Sequence, residues 1–168
     1  ATITARPAHG TLVAVASCPV LLPLLETELV TLGRRLPERA PSRIDLACGD
    51  GAQISYAPLV EGLPHGELKR RIGSFDYRFD ARCFFQGHAG LIEALVARVV
   101  GPWEGDAAID LYGGVGLFAL SLARRYRAVT LVEGDRGAVR YARKNARLAH
   151  AGGGQPLGGD VEEPETAA

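Results

Sequence analysis

The sequence has few cysteines, no long apolar run and no excess of charge of either sign. Its three cysteines, Cys18, Cys48 and Cys83, are widely separated and odd in number, so we expect neither a disulfide framework nor a Cys-x-x-Cys metal pair. No apolar run approaches the roughly 20 residues of a membrane span, and no charged-then-apolar leader is seen. We therefore expect a cytoplasmic protein without a membrane segment. Nineteen basic and nineteen acidic residues cancel, which argues against a strongly basic nucleic-acid domain as a whole.

The first 80 residues are predicted to hold short strands and one helix. A strand is expected over residues 11–16, and a helix opened by proline over residues 19–36. Residues 43–46 and 53–56 are expected to form two strands joined across a glycine turn. From Phe75 to Phe79 aromatic and charged residues alternate, which indicates a half-buried strand with its aromatics on one face. With 47% hydrophobic residues in 168, we expect a small α+β subdomain over residues 1–80 and a second domain over residues 81–168.

The segment from Asp110 to Phe118 is the most informative part of the chain. The apolar run Ala107 to Leu111 before it is typical of a parallel strand buried on both faces. Gly113, Gly114 and Gly116 follow, which leaves backbone open to a ligand. A helical pattern and a second strand, residues 128–133, come next. This order of strand, glycine loop, helix and strand predicts a site for a nucleotide-like cofactor.

Two cofactors use such a unit, and Asp110 favours one of them. The pattern Gly114-x-Gly116-x-x-Ala119 fits the dinucleotide fingerprint, with Glu133 placed to accept hydrogen bonds from ribose hydroxyls. A carboxylate at the strand end would repel a pyrophosphate, however, whereas S-adenosylmethionine is cationic and carries no phosphate. The residues therefore favour S-adenosylmethionine over NAD, with a glycine turn that binds nothing as the third reading.

Two further segments have a structural and a functional interpretation. Arginines recur at helical spacing from Arg136 to Arg147, and a solvated helix face is favoured over a surface for a phosphate backbone. In Phe84-Phe-Gln86 the amide and an aromatic face could hold an unstacked base, although core packing of the phenylalanines is favoured by composition alone. A helix is predicted next, from Leu91 to Val100. His88 is expected to be a cap or a surface residue.

Several spaced motifs together resemble the RNA uracil-5-methyltransferase family, whose members make 5-methyluridine in ribosomal and transfer RNA. They agree in order and distance over nearly the whole chain. The matching segments are Cys18 to Leu21, Tyr77 to Gln86, Asp110 to Phe118, Val132-Glu133, Ala138-Val139, Ala142, Asn145-Ala146 and Gly159 to Glu163.

The resemblance implies an α/β fold: a Rossmann-like class I S-adenosylmethionine-dependent methyltransferase domain, here partial, preceded by the small α+β subdomain. It also implies roles for single residues. In the family the Phe-x-Gln motif faces the cofactor and a flipped uracil, which assigns the target base to Phe84 and Gln86. The residues implied to bind the cofactor are Gln86, Asp110, Tyr112, Gly114, Gly116, Glu133 and Asp160.

The sequence departs from the family pattern at several positions. Glycine stands at 113 where the family usually has cysteine, and His88 replaces an asparagine. Cys18 matches the last ligand of an iron–sulfur cluster in the ribosomal-RNA members, but the other cysteine ligands, which lie upstream, are missing. No metal site is therefore expected from this sequence.

The largest departure concerns catalysis. Methylation of uracil at C5 needs a thiolate that adds at C6 and a base that removes the C5 proton. In the family both follow an Asp-Pro-Pro-Arg motif, and this sequence has none of the three. We expect a chain incomplete at its C-terminus and at its N-terminus, which holds a cofactor half-site and is inactive alone. The expected partner is RNA, with ribosomal RNA favoured over transfer RNA. A non-catalytic RNA-binding relative and an NAD(P)-dependent oxidoreductase remain as alternatives.

Overall fold

The computed structural model describes residues 3–5, 13–15, 17–18, 21–32, 34–37, 39, 41–86, 88–151 and 161–162. Within these residues the chain forms nine strands, four α-helices and a 3₁₀ turn at Ala89–Leu91. The helices are α1 (Pro23–Leu32), α2 (Ile92–Val100), α3 (Leu117–Leu122) and α4 (Arg136–Ala151). The strands are β1 (Ile3–Ala5), β2 (Val13–Val15), β3 (Asp45–Cys48), β4 (Ile54–Ala57), β5 (Leu68–Ile72), β6 (Phe75–Phe79), β7 (Gly105–Leu111), β8 (Tyr126–Val132) and β9 (Val161–Glu162).

The first six strands form three antiparallel hairpins, β1–β2, β3–β4 and β5–β6. The predicted pairing across the glycine turn is confirmed, because Asp45 pairs with Ala57 and Cys48 with Ile54. Helix α1 is shorter than the predicted 19–36 and begins at a second proline, Pro23, since proline suits a first helical turn. Strands β1 and β5 were not predicted; three of the five residues of β5 are basic, which hides its alternation of buried and exposed positions.

The last three strands form a parallel sheet in the order β7-β8-β9. The prediction that β7 is parallel is confirmed, but the prediction that it is buried on both faces is wrong. Ile109 and Leu111 are 67% and 63% exposed. In the described part of the chain α3 packs only on the opposite face, where Ala119 and Ala123 meet Val129 and Leu131 of β8.

The β5–β6 hairpin shares a core with helix α4 and the end of the glycine loop. Leu68 and Phe79 pack with Val115, Ala138 and Tyr141. The aromatic face of β6 is buried as predicted, with Tyr77 0% and Phe79 2% exposed. The division into residues 1–80 and 81–168 stays a prediction, and this core contains side chains from both sides of it. No helix in the described ranges is long and apolar enough to cross a membrane.

A buried asparagine links helix α4 to strand β6 and to the glycine loop. Asn145 of α4 is 0% exposed. Its Nδ2 donates to the carbonyl oxygens of Arg78 in β6 at 3.0 Å and of Val115 at 2.9 Å. Its Oδ1 accepts from the Arg78 backbone N–H at 2.7 Å. One amide therefore fixes β6, α4 and the end of the glycine loop relative to one another.

Replacing Asn145 with alanine is expected to destabilise the fold. The change leaves three backbone groups without partners, the buried carbonyl of Val115 and the half-buried N–H and carbonyl of Arg78, so the free energy of unfolding should fall by about 3 kcal/mol. Chemical denaturation followed by circular dichroism measures it. The matched control is Arg147→Ala on the exposed face of the same helix, which should change stability by less than about 0.5 kcal/mol. Equal effects of the two variants would contradict this role of Asn145.

Candidate cofactor site

The glycine loop between β7 and α3 has an unusual backbone. Tyr112 has a φ of +57°, and Gly114 and Gly116 have φ of +54° and +92°. Glycine adopts positive φ readily, but a tyrosine in this region is uncommon and indicates a conformation that its surroundings impose. Gly113 is required for another reason: a Cβ there would lie 2.6 Å from Cγ of Leu131. The loop therefore packs directly on the neighbouring strand.

Asp110 caps helix α3 from the preceding strand. The N-cap of α3 is Gly116, which has no side chain to offer, and Oδ2 of Asp110 accepts from the Ala119 N–H at 2.9 Å instead. Asp110 is 8% exposed. Burial raises the pKa of this carboxyl and the charge of Glu133 adds to the rise, while the hydrogen bond from Ala119 opposes it. A partly unsatisfied negative charge thus lies beneath the loop.

Glu133 connects the glycine loop to the loop that follows β8. Its Oε2 accepts from the Gly114 N–H at 2.9 Å, and its Oε1 accepts from the Asp135 N–H at 2.8 Å. Asp135 in turn accepts from the Ala138 N–H at 2.7 Å and so caps α4. The carboxylate lies beside the first glycine loop, where the sequence places it. Each of its oxygens keeps a further lone pair that a ligand hydroxyl can use.

Two exposed aromatic rings border the loop. Tyr112 is 91% exposed and Phe84 is 78% exposed. The Phe84 carbonyl oxygen lies 3.9 Å from the position that a Cβ on Gly114 would take, so the Phe84–Gln86 segment flanks the glycine loop. The neighbouring Phe85 stacks on Phe79 with ring centroids 4.4 Å apart. The interpretation that the phenylalanines pack in the core therefore holds for Phe85, whereas the Phe84 ring is exposed to solvent.

Asp80, which holds the turn before the Phe84–Gln86 segment, was not predicted from the sequence. Asp80, 2% exposed, accepts from the Arg82 backbone N–H at 2.9 Å and from the Tyr141 hydroxyl at 2.9 Å, and it pairs with the Arg82 guanidinium. Burial alone would raise the pKa of Asp80, but the Arg82 contacts bring it below its usual value. The sequence contains a signal for this turn, because an aspartate directly follows a strand and an arginine lies two residues further on.

The other predicted residues have simpler surroundings or lie outside the described residues. His88 is exposed at the start of the 3₁₀ turn and makes no capping hydrogen bond through its side chain. Cys18 is half-buried. The described residues contain no group of three His, Cys, Asp or Glu that could hold a metal. Asp160 falls outside the described residues. The arginines of α4 at 136, 140, 143 and 147 all lie on its exposed face.

Comparison with known proteins gives partial matches in sequence. No protein-family profile matches the chain. The 23S rRNA (uracil(1939)-C(5))-methyltransferase RlmD of Stenotrophomonas maltophilia is 38% identical over 110 residues, 62% of this chain and 24% of the relative. RlmD of Pseudomonas fluorescens is 29% identical over 94% of this chain and 44% of its own length. The tRNA (uracil(54)-C(5))-methyltransferase of Pyrococcus abyssi is 28% identical over 58% of this chain and 24% of its length. The chain thus spans less than half the length of these relatives.

Solved structures match more of the chain. The Pyrococcus abyssi tRNA (uracil-54, C5)-methyltransferase in complex with S-adenosyl-L-homocysteine superposes with a TM-score of 0.62 and 17% identity, over 97% of this chain and 53% of that one. Trm5b from the same organism gives 0.51 and 16% over 95% and 58%.

The parallel sheet, the glycine loop and these structural matches define a partial Rossmann-like class I S-adenosylmethionine-dependent methyltransferase fold, preceded by a small α+β subdomain. Within that class the chain resembles the RNA uracil-5-methyltransferases, as its motifs predict, and the relatives found by sequence carry that name.

Asp110→Asn is expected to stabilise the fold at neutral pH. The amide oxygen can still accept from Ala119, while the buried charge beside Glu133 is removed. Because the folded pKa lies above the ordinary value of 3.8, ionisation costs stability as pH rises through the folded value. The gain of the variant should therefore be largest at pH 7 and should vanish as pH falls toward 3.8.

Thermal unfolding across this pH range measures the effect. Asp106→Asn is the control, because the Asp106 side chain is 88% exposed. A variant at position 110 that is less stable at pH 7, or whose gain does not depend on pH, would contradict the assignment of a destabilising buried charge.

Proposed function

We propose that the chain binds S-adenosylmethionine at the glycine loop. The observation that carries the proposal is the Glu133 carboxylate, held at 2.9 Å from the Gly114 N–H at the carboxyl end of β8, where parallel α/β sheets bind nucleotides. The surroundings fit this cofactor. A Cβ on Gly114 would meet the Phe84 carbonyl oxygen no closer than 3.9 Å, which leaves room for a ligand against the backbone. The nearby carboxylates Asp110 and Glu133 suit a cation and repel a pyrophosphate.

Each residue of the loop would have a separate task toward the cofactor. Glu133 would accept from the ribose hydroxyls through its remaining lone pairs. Tyr112 would lie against the cofactor with its exposed ring, and Gly114 and Gly116 would let it approach the backbone. Gln86 would reach it from the flanking segment and Asp160 from the adenine side. When bound, the cofactor supplies an electrophilic methyl group on its sulfonium sulfur.

The substrate that we propose is a uridine in RNA, methylated at C5. Support comes from the relatives named as uracil-5-methyltransferases. In this chain the exposed Phe84 ring could stack on a base, and the Gln86 amide could hydrogen-bond to its edge. Ribosomal RNA is favoured over transfer RNA, since six similar relatives are named RlmD and one is named as a tRNA enzyme. An enzyme on such RNA would work in the cytoplasm.

We propose further that this chain holds the cofactor half of the enzyme and not its nucleophile. A nucleophilic cysteine needs access and a lowered pKa. Cys83 is buried, and burial raises its pKa to about 11. Cys48 is buried as well, and Cys18 lies before α1 rather than beside the glycine loop. The 168 residues alone are therefore expected to bind the cofactor without methylating RNA.

Glu133→Ala is expected to weaken binding of S-adenosylhomocysteine by about tenfold or more. The change removes the ribose acceptor and also frees the Gly114 and Asp135 amides. Isothermal titration calorimetry on the purified chain measures it, with NAD titrated in parallel.

The control for this experiment is Glu104→Ala, because the Glu104 side chain is 75% exposed in the loop before β7, at the other end of the strand. It should bind like the unchanged chain. Unaltered affinity of Glu133→Ala would overturn the proposal. Binding of NAD instead of S-adenosylhomocysteine would favour the oxidoreductase reading.

A further inference from the structure

Arg70 occupies a position in β5 that normally belongs to an apolar residue. Buried and more exposed residues alternate along the strand, and Arg70 lies between Leu68 and Ile72 on the buried side. Arg70 is only 8% exposed. A long cationic side chain at such a position loses its hydration, so it needs a compensating partner.

The described residues do not supply a charged partner. The Arg70 Nη2 donates to the Cys48 carbonyl oxygen at 2.6 Å and lies 3.4 Å from the Cys48 sulfur. Its Nε has no hydrogen-bond partner, and no ion pair with Arg70 is found in the described ranges. The arginines around it differ in this respect. Arg43 pairs with Asp45, Arg71 with Asp76 and Arg82 with Asp80.

Arg70 lines a cleft that begins at the Phe84–Gln86 segment. The cleft has a volume of about 350 Å³, and Arg43, Arg82 and Cys48 also line it. Its one acidic lining residue, Asp45, already pairs with Arg43. No residue of the glycine loop lines this cleft. The cleft is therefore a second cavity beside Phe84 and Gln86, separate from the glycine loop. Its lining carries more positive than negative charge, and the buried Arg70 guanidinium has no ion-pair partner among the described residues.

We propose that Arg70 binds a backbone phosphate of the RNA whose base lies at Phe84 and Gln86. The inference rests on the proposed function, because it assumes an RNA substrate at that segment. A guanidinium matches phosphate in charge and geometry, and their hydrogen bonds are strong where water is excluded. A phosphodiester follows every base in a strand, so a base at the mouth of the cleft brings an anion with it. The phosphate is the partner that the fold does not provide.

The test is RNA binding by the purified chain, measured by fluorescence anisotropy with a short labelled uridine-containing RNA. Arg70→Met should weaken binding by about tenfold or more. Its thermal unfolding midpoint should stay the same or rise, because methionine fills the site without a buried charge. Arg127→Gln is the matched control. The Arg127 side chain is 81% exposed at the start of β8, and its loss should change affinity by less than about threefold.

A second measurement varies the RNA, and its first part uses only the unchanged chain. In the same RNA, each phosphate is replaced in turn by an uncharged methylphosphonate. One replacement should weaken binding to the unchanged chain about as much as Arg70→Met does, and it should have no further effect on that variant. This coupling identifies the phosphate that Arg70 contacts, and the replacement series on the unchanged chain remains informative if Arg70→Met fails to fold.

Three results would overturn the inference. The first is an equal loss of RNA affinity in Arg70→Met and Arg127→Gln. The second is a methylphosphonate effect on RNA affinity that is as large in Arg70→Met as in the unchanged chain. The third is displacement of the RNA by inorganic phosphate at concentrations as low as those of the RNA. Titration with S-adenosylhomocysteine separates this failure from that of the proposed function. If one of these three results is found while S-adenosylhomocysteine binds normally to Arg70→Met and to the unchanged chain, the cofactor site stands and only the phosphate contact is wrong. If Arg70→Met loses the cofactor but not RNA, Arg70 acts on the cofactor.

Discussion

The arrangement of the site depends on the buried amide of Asn145. Its hydrogen bonds hold the backbone of Arg78 in β6 and the carbonyl of Val115 at the end of the glycine loop. Strand β6 leads directly into the turn at Asp80, which the Arg82 N–H and the Tyr141 hydroxyl hold in place just before the Phe84–Gln86 segment. Because one rigid group contacts both sides, the segment that would hold a base and the loop that would hold the cofactor keep a fixed separation. A site for group transfer needs this kind of preorganisation.

The same region holds charge that the fold alone does not compensate. The Asp110 carboxyl is buried near Glu133, and the Arg70 guanidinium is buried without an acidic partner among the described residues. Both cost stability in isolation. The two charges have opposite sign and lie on different sides of the Phe84–Gln86 segment: the acids beside the glycine loop and the arginine in the cleft. The cationic cofactor and the anionic polynucleotide that we propose as ligands have the complementary sign for these two spaces.

The sequence was sufficient for the features that rest on local patterns. The strand–loop–helix–strand unit, the hairpin across the turn at 48–51 and the aromatic face of β6 follow from periodicity and glycine positions. Features that depend on distant contacts could not be predicted. Strand β5 is hidden by its basic residues, the burial of β7 depends on which helices cover it, and Asp80 meets Tyr141 across 61 residues. The role of Asp110 as a helix cap was also missed. The carboxylate at the end of the strand was interpreted as a group that faces a cofactor, and not as an acceptor for a helix N–H.

The central claim is that a cofactor binds between Glu133 and the Phe84–Gln86 segment. Amide chemical shifts of the ¹⁵N-labelled chain during titration with S-adenosylhomocysteine test it most directly, because each amide of the site reports separately. The account predicts saturable shifts at Gly114, Gly116 and Asp135 and in the Phe84–Gln86 segment, with β3 and β4 unchanged. Shifts that are absent, or that appear in β3 and β4 instead of these residues, would contradict it.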